Sequence, residues 1–225
     1  MKLLTFIALF IINNNIFSQD CSSFYYFQSN KTIELTIING KGKESGKMIY
    51  KISNSDKSGS AIIATIHSEF INTKGEIITS NDNKVQCVSG MVMMDMKIFI
   101  PASQQEQIRS GSATANEVYL EYPYDMKVGD QLKDGKLSMD YEGSGGLKSS
   151  IEIEITDRKV EGKETVTTPA GTWECYKIST KNRTVSKVGE IGIPINLEST
   201  EWFAPGFGVV KTESKTGKTE ITAIN

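Results

Sequence analysis

The chain has 225 residues, 38% hydrophobic and 23% charged, with a formal net charge of -2. That balance argues against a largely disordered chain and a polytopic membrane protein, and it offers no basic surplus for nucleic acid. One histidine and three cysteines leave little material for a metal centre or a histidine-based catalytic site, so no cofactor and no metal are expected.

Lys2, the apolar run over residues 3–12 and the small residue Ser18 have the layout of a secretory signal. The run is shorter than the roughly 20 apolar residues a membrane span needs. The reading is therefore a signal peptide over residues 1–18 and one β-rich domain over residues 19–225. The product is exported to the periplasm or the extracellular space, without stable membrane insertion. Asp20 is a poor neighbour for lipid modification of Cys21, so a soluble product is expected.

Period-two alternation dominates residues 32–225, the pattern of half-buried strands. Ile33, Leu35 and Ile37 alternate with polar residues; Met48, Tyr50 and Ile52 come after a turn over residues 40–46; Ile62, Ala64, Ile66 and Phe70 share the next face. Cys87 is read at the start of a long strand, and residues 91–100 continue as strand. Leu137, Met139 and Tyr141 precede the cleanest alternation, Ile151, Ile153 and Ile155 against Glu152 and Glu154. Residues 173–180 and 195–203 are strands, and the chain closes on Val209, Val210 and Ile221. Turns are placed where Gly, Asn and Asp cluster, among them residues 54–59, 73–75, 81–83, 143–146, 161–162 and 216–217. One short helix is predicted over residues 103–109, with Ser103 and Glu106 at capping-box spacing. The fold class is mostly β: a single large, strongly curved antiparallel sheet, an incomplete barrel, with at most one or two short helices.

Candidate chemistry is sparse. His67 is out of phase with its apolar neighbours and points outward with Thr65 and Glu69. Glu152 and Glu154 share one strand face, which suits a solvated surface better than two carboxylates facing across a cleft. No catalytic residue is assigned. In an oxidising compartment two of the three cysteines pair. Three pairings are possible; the value of tying down the mature N-terminus favours Cys21 with Cys87, leaving Cys175 as a buried thiol. The unusual segment spans residues 90–100, where four of eight methionines fall within six residues. As a strand it puts Val92, Met94, Met96, Ile98 and Ile100 on one face, either as core or as the adaptable lining of a site for an apolar ligand. Pro169 and Gly171 read as a tight turn, and Pro205, Gly206 and Gly208 as another, of type II.

Four stretches carry a resemblance: Met94-Asp95-Met96-Lys97 running into Phe99-Ile100-Pro101; Tyr122-Pro123 with Met126-Lys127-Val128-Gly129-Asp130 shortly after; Pro169-Ala170-Gly171-Thr172-Trp173; and Trp202-Phe203-Ala204-Pro205-Gly206-Phe207-Gly208. In order and spacing they resemble a TapB-like group of uncharacterised bacterial envelope proteins. The resemblance implies a fold similar to the periplasmic lipoprotein carriers LolA and LolB, a curved sheet around an apolar hollow, and supplies no catalytic residue. The expected function is non-enzymatic binding of a hydrophobic partner, whether a small molecule, a lipid or an acylated or apolar protein segment. An envelope interaction or assembly module using a sheet edge or surface patch is the alternative, and a hydrolase comes third.

Overall fold

The computed structural model describes residues 21, 24–59, 61–100, 104, 105, 108, 113, 114, 118–142 and 146–225. The predicted signal segment, the capping residues Ser103 and Glu106, and Gly143 to Gly145 lie outside the described residues. Thirteen strands form one antiparallel sheet: β1 (Thr32–Asn39), β2 (Glu44–Ser58), β3 (Ala61–Ile71), β4 (Ile77–Val88), β5 (Met91–Asp95), β6 (Ala113–Thr114), β7 (Tyr119–Pro123), β8 (Gly135–Glu142), β9 (Lys148–Thr168), β10 (Gly171–Val188), β11 (Ile191–Ala204), β12 (Gly208–Ser214) and β13 (Gly217–Ile224). Their spatial order is β6-β8-β9-β10-β11-β12-β13-β1-β2-β3-β4-β5-β7. Sequence neighbours mostly pair as hairpins, and the three pairings of non-consecutive strands, β1 with β13, β5 with β7 and β6 with β8, extend the sheet until it nearly closes. Helical structure among the described residues is short: 3-10 turns at Tyr25–Phe27 and Met96–Phe99 and α-helical residues Gln104, Gln105 and Ile108 within the predicted helix.

The inward face obeys the alternation. Ile33, Ile52, Ala64, Ile66, Val85, Val92, Leu120, Leu137, Ile151, Ile153 and Ile178 are all buried in one core, while Glu152 and Glu154 lie outward in a ladder with Lys136 and Arg183 at 2.8–3.2 Å. Closure of the sheet rests on β9. After Ile155 a bulge at Asp157, whose φ is +51°, turns Arg158 inward. Its guanidinium is fully buried; Nη1 donates to the carbonyl oxygens of Glu121 on β7 (3.0 Å) and Lys133 before β8 (2.7 Å). The two ends of the sheet are thereby stitched by one side chain. Gly135 completes the seam: a Cβ there would lie 2.7 Å from Met96 Sδ and 2.8 Å from Leu120 Cδ1.

Five expectations are corrected. The turn expected over residues 54–59 is strand as far as Ser58, with Asn54 to Ser58 paired to β3 from Thr65 to Ala61. The methionine-rich strand stops at Asp95, whose carboxylate accepts from the Lys97 backbone N–H at 3.0 Å and starts the 3-10 turn Met96–Phe99. Such a local side-chain bond competes with the ladder and ends it. Residues 81–83 form no turn. They lie within β4, held there by Ser68, which donates to the Asn81 carbonyl (3.1 Å) and accepts from Asn83 Nδ2 (2.8 Å). Glu161 and Gly162 lie inside β9, Glu161 skipped at a shift in the β9–β10 register and Gly162 facing Lys177; tertiary pairing overrides turn propensity. Cys87 comes next to last in β4 rather than at a strand start.

The two late signatures form one corner. Phe207 N–H donates to the Ala204 carbonyl at 3.0 Å, and Gly206 has φ +80°, as a type II Pro-Gly turn requires. Pro169 and Ala170 connect β9 to β10. Their partner rings meet: Phe207 lies 5.4 Å from Trp173 and 5.2 Å from Tyr25. Gly208 is needed because a Cβ there would overlap the Tyr26 ring. The corner thus seats the segment that carries Cys21, which is bonded to Cys87 with a Cα–Cα distance of 6.1 Å, while Cys175 is a buried free thiol. The bridge closes a separation of 66 residues, for which chain entropy alone gives about 4 kcal/mol. Reduction should lower urea stability by up to that amount, and non-reducing peptide mapping should find Cys21–Cys87 with Cys175 unlabelled until the chain unfolds. Burial pushes the Cys175 thiol pKa up to about 12, which also suppresses its reactivity.

Candidate functional site

Closing the sheet leaves space on its inward side between β9–β13 and β1. Antiparallel register places side chains in rows across the strands there. One row runs Ile178, Glu201, Thr212, Thr219 and Ile37; another runs Ile155, Asn182 and Leu197. Ser199 lies between these rows on β11. The rows from Glu201 to Ile37 and from Ile155 to Leu197, with Ser199 and with Phe99 from the 3-10 turn, bound a hollow of about 420 Å³. Its walls are apolar through Ile37, Phe99, Ile153, Ile155 and Leu197. Its floor is a polar strip of Ser199, Asn182, Thr212 and Thr219: Asn182 Nδ2 donates to Ser199 at 2.6 Å, Thr212 and Thr219 pair at 2.7 Å, and Thr180 beneath bonds Ser199 at 2.8 Å.

Glu201 lines the hollow at its deep side and is only 5% exposed. Its Oε2 accepts from the Tyr122 hydroxyl at 3.0 Å. Tyr122 in turn stacks on Phe203 at 4.8 Å and lies under the Arg158 guanidinium, 4.7 Å from the ring centroid. Burial raises the Glu201 carboxyl above its ordinary range, partly offset by the Arg158 charge and the Tyr122 hydrogen bond. The same burial, with the Glu201 charge, raises the Tyr122 phenol. This arrangement can present a carboxyl and several hydroxyls to a molecule whose remainder is apolar.

The residues expected to line a site behave differently. Val92, Met94, Met96 and Ile100 are buried in the core and Ile98 packs against it; none of the five bounds this hollow. Their segment contributes Phe99 instead. Sequence reasoning missed Glu201, which reads as one more charged strand residue, and Arg158, whose inward turn depends on the Asp157 bulge. The signal that could have found Glu201 is its phase: Leu197, Ser199 and Glu201 share parity with Phe203, a residue of the Trp202-Phe203 motif.

On the outer face His67 Nδ1 is 2.7 Å from Asp82 Oδ1, and Nε2 is 3.0 Å from Ser80 Oγ. These contacts repeat the order of a nucleophile relay. Asp82 is 69% exposed, however, and Glu69 Oε1 lies 3.4 Å from the same Nε2. The three side chains stand on a strand surface, whereas acyl transfer needs oxyanion donors beside a bound substrate. They are cross-strand pairs of β3 and β4. Among the described residues no group of three or more His, Cys, Asp or Glu is placed to hold a metal ion.

A family model described as DUF3108-like matches residues 28–224. No curated protein matches the chain. Among solved structures, an inferred exported protein with a YmcC-like fold from Bacteroides fragilis superposes with a TM-score of 0.74 at 21% identity, covering 90% of this chain and 98% of that one. An inferred lipoprotein from Parabacteroides distasonis gives 0.74 at 19% identity, covering 92% and 100%. At these identities the likeness is one of fold. The TapB-like grouping and the similarity to LolA and LolB remain expectations of the sequence motifs.

The raised Glu201 carboxyl fixes a sign. Its folded pKa lies above the unfolded one, so its contribution to stability is complete below the unfolded carboxylate pKa and is lost as pH rises through the folded value. Glu201→Gln keeps an acceptor for Tyr122 and removes that titration. Urea unfolding from pH 4 to pH 8 should therefore show the wild type losing stability relative to the variant as pH rises; parallel curves would remove Glu201 from the titrating set.

Proposed function

The chain belongs to the DUF3108-like family, and from that premise we propose that it is an exported envelope protein that binds an apolar or amphipathic molecule in the hollow of its closed sheet and does no chemistry on it. The observation that carries this reading is the hollow itself. Small-molecule sites are concave, mostly apolar and furnished with a few fixed polar groups; the walls of Phe99, Ile153, Ile155 and Leu197 and the floor of Ser199, Thr212 and Glu201 have that composition. The space is framed by a rigid ladder, so it is formed before any ligand arrives.

Three further points support the reading. The N-terminal sequence has the layout of an export signal, and the two proteins of similar fold are described as an exported protein and a lipoprotein. The sequence motifs resemble those of proteins with a LolA- or LolB-like apolar hollow. The outer-face His67 relay lacks a cleft, which favours binding over hydrolysis.

Filling the space tests it. Leu197 is half-buried on the hollow's wall, so Leu197→Trp should fold normally. The neutral apolar dye N-phenyl-1-naphthylamine should gain fluorescence with the wild type and bind at least about tenfold more weakly to the variant. Native mass spectrometry of protein purified from its own envelope should show an adduct that the variant lacks. A clean mass and no dye binding by the wild type would turn the reading towards an interaction module.

A further inference from the structure

One face of β11 carries, from the floor of the hollow outward, Glu201, Ser199, Leu197, Ile195, Ile193 and Ile191, because residues two apart on a strand share a face. The first three bound the hollow. The last three lie beyond it and are 51%, 67% and 75% exposed, with Val188 also 51% exposed opposite Ile191. Single exposed apolar side chains are ordinary, but a continuous row of them marks a binding surface. Among the described residues β11 is paired in this stretch on one side: β12 meets it from Ser199 to Ala204, whereas β10 accompanies it to Ile191. Pro194 lies in this stretch, and a proline without an N–H discourages a further strand on a free edge. The row is thus suited to an apolar chain lying over side chains rather than to backbone pairing.

The deep end of the row carries one carboxyl, Glu201. Glu213 and Lys218 also touch the hollow, but they face each other across β12 and β13 on the outer side, where Lys211 and Glu220 pair with them at 2.8 and 3.0 Å. Arg158 lies over the Tyr122 ring with Nη1 committed to the seam carbonyls. Among the described lining residues Glu201 is the inward-facing ionisable side chain; the Arg158 charge partly offsets the effect of its burial, and the hydroxyls of Ser199 and Thr212 flank it, all able to accept hydrogen bonds.

We propose that this row is a track for a linear alkyl chain bearing a cationic, hydrogen-bond-donating head of the primary-amine class, with the head at Glu201 and the chain running over Leu197 towards Ile191. The assignment rests on the hollow being a binding site and specifies its ligand. A carboxylate or phosphate head would meet Glu201 with like charge in a partly dehydrated space, which is repulsive. At about 3.3 Å per residue the track is roughly 33 Å long, enough for a long chain.

Isothermal titration with decylamine, decanol and decanoate, each below its micelle concentration, tests the head. Decylamine should bind at least about tenfold more tightly than decanoate, and Glu201→Gln should shrink that gap below about threefold. An alkylamine series from dodecyl to octadecyl tests the track, because at about 1.3 Å per methylene the longer members reach Ile195, roughly 20 Å from Glu201: affinity should keep rising, up to roughly fourfold per methylene, and Ile195→Asn, at an exposed position, should flatten the rise. Equal affinity for amine and carboxylate, or a chain-length series that the isoleucine variant leaves unchanged, overturns the track while keeping the hollow as a site. Binding of none of the three decyl compounds overturns both. The wild-type preference decides the head assignment even if Glu201→Gln fails to fold.

Discussion

The closed shape depends on one buried cation. Arg158 takes the carbonyl oxygens of Glu121 and Lys133 with a single nitrogen, joining the last strand of the sheet to its opposite end. Removing one partner from a buried charged network typically costs on the order of 3–5 kcal/mol, because the groups left behind have no replacement for it. Two adjacent features make the seam possible: the Asp157 bulge, which points Arg158 inward, and Gly135, which leaves room for Met96 and Leu120. Without the seam, β7, which ends the strand order, would swing free and leave the interior without a far wall.

Seam and hollow share residues. Tyr122 belongs to the seam strand β7, yet its ring stacks on Phe203 and its hydroxyl holds Glu201, both on β11. The aromatic stack fills one part of the interior and Phe99 borders the rest. What remains is a space whose position is set by the closure and whose chemistry is set by β11. At the opposite corner the Pro-Ala-Gly and Ala-Pro-Gly turns bring Trp173 and Phe207 together under Tyr25 and Tyr26, so these motifs build the fold rather than a site.

Much of the architecture was legible because alternation is a local signal. The faces of β1, β3 and β8 and the first half of β9 derive from period two, and the type II turn at Pro205-Gly206 derives from backbone preferences. The misreadings arise where a distant contact overrides a local one: Asn81 to Asn83 stay in a strand through Ser68, and Gly162 through a long ladder. Asp95 is the reverse case, a local bond that ends a strand. The methionine-rich segment stands out by its composition, but its side chains serve closure, as Met96 against Gly135 shows. Glu201 and Arg158 were not legible as a pair, since they lie on β11 and β9 and meet at Tyr122 of β7.

Arg158 holds the sheet closed, and hydrogen exchange read by mass spectrometry on the wild type and Arg158→Met tests this most directly. Amides of β7 and of the loop and strand over residues 129–142 should lose protection in the variant while β2, β3 and β4 keep theirs. Protection unchanged at the seam, or lost evenly over the whole sheet, would contradict it.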